Sequence, residues 1–228
     1  MKYLNIIAEG SCEENFVNDV LKKHFAGINI FVSARKITTG WDSMNNKPAK
    51  GGLLKYSKFR NDVLRWIESD RHKPNTYYTS FIDLYAFPKD DKSPYIKNIQ
   101  DIADHYQRIS ALETAIGQDI NHPKFIPYVQ LHEFEAFLLV DPGRLITMYP
   151  DRKTYIDRLK RNIGNTKPEE INESPQTAPS KRIIQFIPEY EGQKAQVGSL
   201  IAEDIGITML RDKCPHFNEW IIKLENIH

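Results

Sequence analysis

The sequence is short of net charge: 31 lysines and arginines stand against 30 aspartates and glutamates, a formal balance of +1. That balance excludes a uniformly basic surface for holding nucleic acid, so any polyanion must be met by a local patch. Cysteine is nearly absent. Cys12 and Cys214 lie far apart without metal-type spacing, which argues against a disulfide framework and suits two reduced thiols in a cytoplasmic chain. No leader of secretory type is recognisable, and no apolar run approaches the roughly 20 residues that span a bilayer. A soluble protein with no membrane partner is therefore expected. The phosphate-binding pattern G-x-x-x-x-G-K-[ST] is also missing, which removes P-loop chemistry. Neither an internal repeat nor a low-complexity tract is found.

What is present is an alternation of strand and helix patterns. The chain has 228 residues, enough for one core domain with an appended lobe. Residues 3–8, "YLNIIA", read as a short buried strand, and Phe16, Val17, Val20, Leu21 and Phe25 recur at the spacing of one helix face. Residues 28–37 predict a second strand, and Tyr56, Phe59, Val63, Trp66 and Ile67 a second helix. Residues 77–84 give a third strand, and the stripe from Ile99 to Ile116 a third helix. "KFIPYVQLH", residues 124–132, gives a fourth strand whose Pro127 suits an edge or early position. This order predicts an α/β fold, Rossmann-like, with at least four mostly parallel strands flanked by helices. Between the second strand and second helix, Thr38 to Gly52 forms a polar, glycine-bearing insertion of the length usually reserved for a functional loop. After about residue 140 breakers multiply, and a helical C-terminal lobe (141–228) is expected to pack on the α/β domain (1–140). In that lobe Ser180 reads as an N-cap, and a last helix starts near Pro215.

Acidic residues recur just where strands end. Glu9 follows the first strand in "NIIAEGSCEENFV", Asp83 ends the third in "SFIDLYAFP", and Glu133 and Glu135 follow the fourth in "VQLHEFEAF". In an open parallel sheet these positions share the carboxyl edge, where ligands bind. Glu13, four residues after Glu9, falls one helical turn on and can face the same crevice. Glu133 and Glu135, two apart, would diverge on a helix, so one of them is expected to reach it. Carboxylates crowded together repel and raise each other's pKa unless a counter-charge is supplied, and Mg²⁺ or Mn²⁺, which prefer oxygen ligands, supply it. The expected metal ligands are thus Glu9, Glu13, Asp83, Glu133 and Glu135, with Glu9, Asp83 and Glu133 as the catalytic set. His132 reads as a structural hydrogen-bonding residue, and Asp90 and Asp91 as a solvated charged loop.

On "EGSCEENFV", "DLYAFP", "LHEFEAFLLVDP", "SKRIIQFIPEY" and "KCPHFNEWIIKLE", nearly the whole chain resembles a bacterial Toprim-like family, a domain of unknown function often encoded beside an ATPase. The resemblance extends to the Toprim domains of OLD-family nucleases. It implies that Glu9 matches the glutamate after the first strand, Glu13 an added acid one turn later, and Asp83 the first aspartate of a D-x-D pair. Where the second aspartate belongs this chain has Tyr85. The resemblance implies a Mg²⁺-dependent nuclease or phosphodiesterase, an effector of ATPase-linked anti-phage defence, with DNA or RNA as substrate and an ATPase as partner. The alternative, to which Tyr85 points, is a catalytically degenerate module that binds a partner protein or nucleic acid. Arg35, Lys50, Lys55, Lys58, Lys181 and Arg182 are the candidate phosphate contacts. A self-repelling acid cluster further implies that Glu9→Ala or Asp83→Ala leaves the metal-free fold no less stable.

Overall fold

The first strand, β1 (Lys2–Ala8), is buried over its last five residues, as a strand covered on both faces must be. The chain turns at Glu9 and Gly10 and continues as α1 (residues 11–26), a helix carrying one π-turn at Val17–Leu21. The structure, a computed structural model, describes residues 1–37, 41–42, 47–48, 53, 55–85, 87–171 and 176–227. β2 (Ile30–Lys36) runs parallel to β1 in a register that sets Lys2 beside Ile30 and Ala8 beside Lys36. A small antiparallel pair, β3 (Trp41–Asp42) and β4 (Lys47–Pro48), precedes α2 (Tyr56–Ser69) and β5 (Thr76–Asp83).

α3 (His105–Ile120) starts where the Asp104 side chain accepts the Gln107 N–H and stops at Asn121, which takes a left-handed conformation (φ 49°). The apolar stripe predicted from Ile99 is thus broken, because Ile99 belongs to a separate helical turn, Lys97–Gln100. The predicted fourth strand is likewise divided, into β6 (Phe125–Ile126) and β7 (Val129–Gln130), both parallel to β5. Pro127 lies in the gap and offers no N–H to a ladder. Ser80 fills that gap: its Oγ donates to the Tyr128 carbonyl (2.8 Å) and accepts the Tyr128 N–H (2.9 Å).

The resulting five-stranded sheet has β2, β1 and β5 side by side, with β6 and β7 along the far side of β5. All its pairings are parallel, so the α/β, Rossmann-like expectation holds and the carboxyl ends of the strands share one edge. On one face α2 and α3 bury Ile7, Tyr78 and Ile82. On the other, α1 and the helices after residue 140 share a core with Leu4, Ile6, Phe16 and Phe81. These helices are α4 (Lys153–Ile163), α5 (Pro179–Phe186), α6 (Lys194–Ile205), α7 (Ile207–Lys213) and α8 (Pro215–Glu225). α8 begins where the sequence places it. α5 does not, since Ala178 is its cap and Pro179 its first residue, the position where a missing N–H costs least. Trp220 ties α8 to the sheet: its ring stacks on Tyr128 at 4.1 Å, and its Nε1 donates to Thr79 Oγ1 at 2.9 Å. Among the described residues no helix is long and apolar enough to cross a membrane.

Candidate functional site

The turn after β1 brings Glu9 and Glu13 to the sheet edge. Gly10 is extended (φ −138°) and opens α1, and Glu13 Oε2 accepts its N–H at 2.8 Å. A Cβ on Gly10 would lie 3.1 Å from that same oxygen, so glycine lets the carboxylate close over the turn. Glu9 is held from three sides. Its own N–H bonds the Phe81 carbonyl at 2.9 Å, its Oε2 accepts the Asp83 N–H at 2.9 Å, and its Oε1 accepts the Leu53 N–H at 3.2 Å.

Asp83 is the last residue of β5, and its enclosed Oδ1 has no hydrogen-bond partner among the described residues. Glu133 sits in extended backbone just before a 3-10 turn at Phe134–Ala136, and its Oε2 accepts the N–H of Ser180 in the first turn of α5 at 2.9 Å. Glu135 lies within that turn. Tyr190 donates its hydroxyl to Glu135 Oε1 at 3.2 Å, and Lys194 Nζ is 3.5 Å from the same oxygen.

These five carboxyl groups share one electrostatic environment. Burial pushes the Asp83 carboxyl well above its ordinary value, and Glu13, Glu9, Glu135 and Glu133 each push it further. Burial, then Glu9, carries Glu13 up to about 8. Glu9 also rises by burial, though the N–H groups of Asp83 and Leu53 hold it back. Burial raises Glu135 against the opposing charge of Lys194. Cys12, beside the same crevice, has its thiol pushed up by burial and then by Glu13, Glu135 and Asp83. Glu133 and Glu135 thus both act on Asp83, where a helical spacing would have let one through. The backbone here is extended and then 3-10, so the α-helical angle between them does not apply.

The donor set consists of carboxylate oxygens, the kind a hard divalent cation takes. The enclosed, unpartnered Asp83 Oδ1 is the oxygen most in need of a counter-charge. As the side chains stand, no group of three or more His, Cys, Asp or Glu among the described residues is arranged to hold an ion. Oxygens of Glu9, Glu13 and Glu133 are turned instead onto backbone N–H groups. The residues fit such a cation in chemistry and charge, and holding it would require those side chains to exchange amide contacts for metal contacts.

The Arg35 guanidinium rests 4.2 Å over the Trp66 ring, and Lys55 is the exposed residue ahead of α2. Lys181 Nζ is 3.9 Å from Glu191, while Arg182 donates to the Thr177 carbonyl (3.0 Å) and Asn162 (2.9 Å). Lys50 and most of the insertion from Thr38 to Gly52 fall outside the described residues. Among the described residues the cation paired with the cluster is Lys194, which no motif announces, because a lysine opening a helix far along the chain carries no spacing signal to the strand-end acids. Asp90 is no solvated charge, since its Oδ2 accepts the Tyr56 N–H at 2.9 Å and caps α2. His132 is buried with φ 66°, and burial, then His105 and Arg108, bring its pKa down to about 4. It is neutral near pH 7, and its carbonyl accepts the Tyr85 N–H at 2.8 Å.

A family-wide sequence profile described as "Domain of unknown function (DUF4276)" matches residues 8–225. No curated protein and no solved structure matches the chain.

Proposed function

The chain belongs to the DUF4276 family, and we propose that it is a Mg²⁺-dependent nuclease or phosphodiesterase of Toprim type. The observation that carries this reading is the setting of Asp83. It lies at the carboxyl edge of a parallel sheet, with an enclosed oxygen unpartnered among the described residues, and burial and then four other carboxyl groups raise its pKa. Glu9, Glu13, Asp83 and Glu133 or Glu135 would hold the cation. When bound, Mg²⁺ or Mn²⁺ supplies Lewis acidity that polarises a phosphoryl oxygen and makes hydroxide available near neutral pH.

The chain's own residues supply the rest. In the metal-free state burial and the neighbouring carboxyl groups favour the protonated form of Glu13 and oppose ionisation of Asp83, which eases the repulsion within the cluster. Lys194, 3.5 Å from Glu135, offers a partly exposed cation at the rim of the crevice to a substrate phosphate. DNA or RNA is the proposed substrate, and control by an ATPase partner in anti-phage defence is the proposed setting, supported by the resemblance of the strand-end motifs. Melting curves with and without Mg²⁺ or Mn²⁺, paired with cleavage of single- and double-stranded DNA and RNA, test the reading. It fails if neither metal stabilises the protein and no substrate is cut.

A second reading has its own support. Backbone N–H groups already occupy both oxygens of Glu9 and one each of Glu13 and Glu133, and Tyr85 stands where a second aspartate would complete a metal pair. On that reading the chain is a catalytically degenerate Toprim-like module that binds a partner protein or nucleic acid. Nucleic-acid binding that is indifferent to metal, with no cleavage, would favour it.

A further inference from the structure

β2 is the terminal strand of the sheet, and its full seven-residue length is paired on one side, to β1. The direction of its free groups follows from two hydrogen bonds. The N–H of Ile37 reaches the carbonyl of Ala8 at 2.9 Å, whereas the N–H groups of Tyr3 and Glu9 run the opposite way, to Asn75 and Phe81 on the β5 side. Backbone groups alternate sides along a strand. Phe31, Ser33 and Arg35 therefore point their N–H and C=O groups at β1, and Ile30, Val32, Ala34 and Lys36 point theirs outward. Among the described residues no backbone group pairs with these outward groups. A long, regular edge of this kind is a template for another strand unless something blunts it.

The side chains along this edge are unusually apolar for solvent. Phe31 and Ile28 are each 46% exposed and Tyr3 is 42% exposed. The Phe31 and Tyr3 rings pack together with centroids 6.0 Å apart. Beside them a cavity of about 540 Å³ opens between the strands and the end of α2, lined by Tyr3, Asn5, Ser33, Asp70 and Thr76 among others.

We propose that this edge is a homodimer interface in which β2 pairs antiparallel with β2 of a second copy about a two-fold axis through Ser33. The inference goes beyond the catalytic reading and does not depend on it. The occupant is a second copy because the edge complements itself in one register. With Ser33 opposite Ser33, Ile30 meets Lys36 and Val32 meets Ala34 as hydrogen-bonded pairs, so every outward N–H and C=O of the strand finds a partner. Phe31 then lies opposite Arg35 as a non-hydrogen-bonded pair, the type whose side chains approach most closely. No like charges are set directly opposite. The Arg35 guanidinium, 4.2 Å over Trp66, brings the second copy's Phe31 onto an existing cation–aromatic stack. Each copy's cavity borders the axis through Ser33, leaving room for side chains of the incoming strand. Such a contact is isologous and closes at two copies, which turns an aggregation hazard into a defined dimer.

Two variants test it. Ala34→Pro removes an N–H that faces the open edge while leaving the bonds to β1, a position where a strand tolerates proline. Ser33→Cys places two thiols on the axis, within the Cα separation that a disulfide accepts. Sedimentation equilibrium of the wild type should give twice the chain mass of 26.5 kDa. Ala34→Pro should give one chain mass with an unchanged circular dichroism spectrum, and Ser33→Cys should form a covalent dimer on mild oxidation. Phe31→Cys, well off the axis, should not, and neither should the wild type with its native Cys12 and Cys214. A wild type that stays monomeric up to about 100 µM overturns the proposal. So does a dimer that survives Ala34→Pro and is not trapped by Ser33→Cys.

Discussion

Glu9 accepts the backbone N–H of Asp83 at 2.9 Å, while Asp83 keeps its own Oδ1 enclosed and without a partner among the described residues. Two acids that the sequence treats as equivalent are thus opposite in energetic character. Glu9 is a satisfied acceptor that ties Asp83 at the end of β5 to Leu53, whereas Asp83 is an enclosed acid whose negative charge burial and its neighbours oppose. In the metal-free protein Asp83→Asn removes the cost of that charge and should stabilise the fold by on the order of 1 kcal/mol at pH 7–8. Glu9→Ala strands two N–H groups and should destabilise it by on the order of 1–3 kcal/mol. This revises the expectation that alanine at either position leaves the apo fold no less stable. Urea melts of both variants in EDTA decide it, and equal effects of the same sign would mean that the two acids do not differ in this way.

A cation bound to the native state alone raises stability by mass action, about 2.7 kcal/mol at a concentration one hundred times its dissociation constant. The wild-type melting temperature should therefore climb with Mg²⁺ or Mn²⁺. Asp83→Asn should start higher in EDTA and climb little, because the negative charge that most needs the ion is gone. A titration in which Asp83→Asn gains as much from metal as the wild type would place the ion elsewhere.

How much of this was legible in advance follows the physics of each feature. Strand-end acids declared themselves because a run such as residues 3–8 has one reading, and the residue after it must lie at an edge. The turn chemistry was hidden. Pro127 announced a disturbed strand, but the repair by Ser80 Oγ links residues 48 apart in sequence, and no local pattern encodes that. Ser180 was misplaced as a cap because Pro179, the better first residue, outcompetes it. Lys194 and the capping role of Asp90 are tertiary facts, visible once α6 meets Glu135 and the loop after β5 meets Tyr56.

Lys194 makes a prediction that separates catalysis from folding. Its Nζ is 3.5 Å from Glu135, and its side chain is one-third exposed while that of Glu135 is buried, so the ammonium opposes the cost of a buried carboxylate as well as facing the rim. Lys194→Met should lower unfolding free energy by on the order of 1 kcal/mol or more, and, measured on protein that is still folded, lower phosphodiester cleavage by about tenfold or more if the ammonium meets substrate phosphate. Cleavage that matches the wild type, measured at saturating Mg²⁺, would remove Lys194 from the proposed chemistry.

The last prediction concerns pH, at a site outside the acid cluster. His216, in the first turn of α8, places Nε2 2.9 Å from Glu113 Oε1 of α3 and 3.2 Å from the Val129 carbonyl. Glu169 accepts the N–H groups of His216 and Phe217 at 3.0 and 2.9 Å, so it caps the same helix end. Burial alone would lower the imidazole pKa, but the hydrogen bond and charge of Glu113, aided by Glu169, raise it above the ordinary 6.5. The sign follows from linkage: a base held more tightly protonated in the folded state contributes stability in full below about 6.5, and that contribution is lost as pH rises through the folded value. Glu113→Gln keeps an acceptor for the Val129 N–H, which Glu113 Oε1 takes at 2.9 Å, but removes the charge that holds the proton. The wild type should therefore exceed Glu113→Gln in stability by on the order of 1–3 kcal/mol near pH 6, with the gap shrinking steadily toward pH 9. Comparing the two curves cancels the separate pH response of the carboxylate cluster, which both proteins share. A gap that stays constant across this range would mean that His216 remains neutral and that α8 is held to the sheet by packing and the Glu169 cap alone.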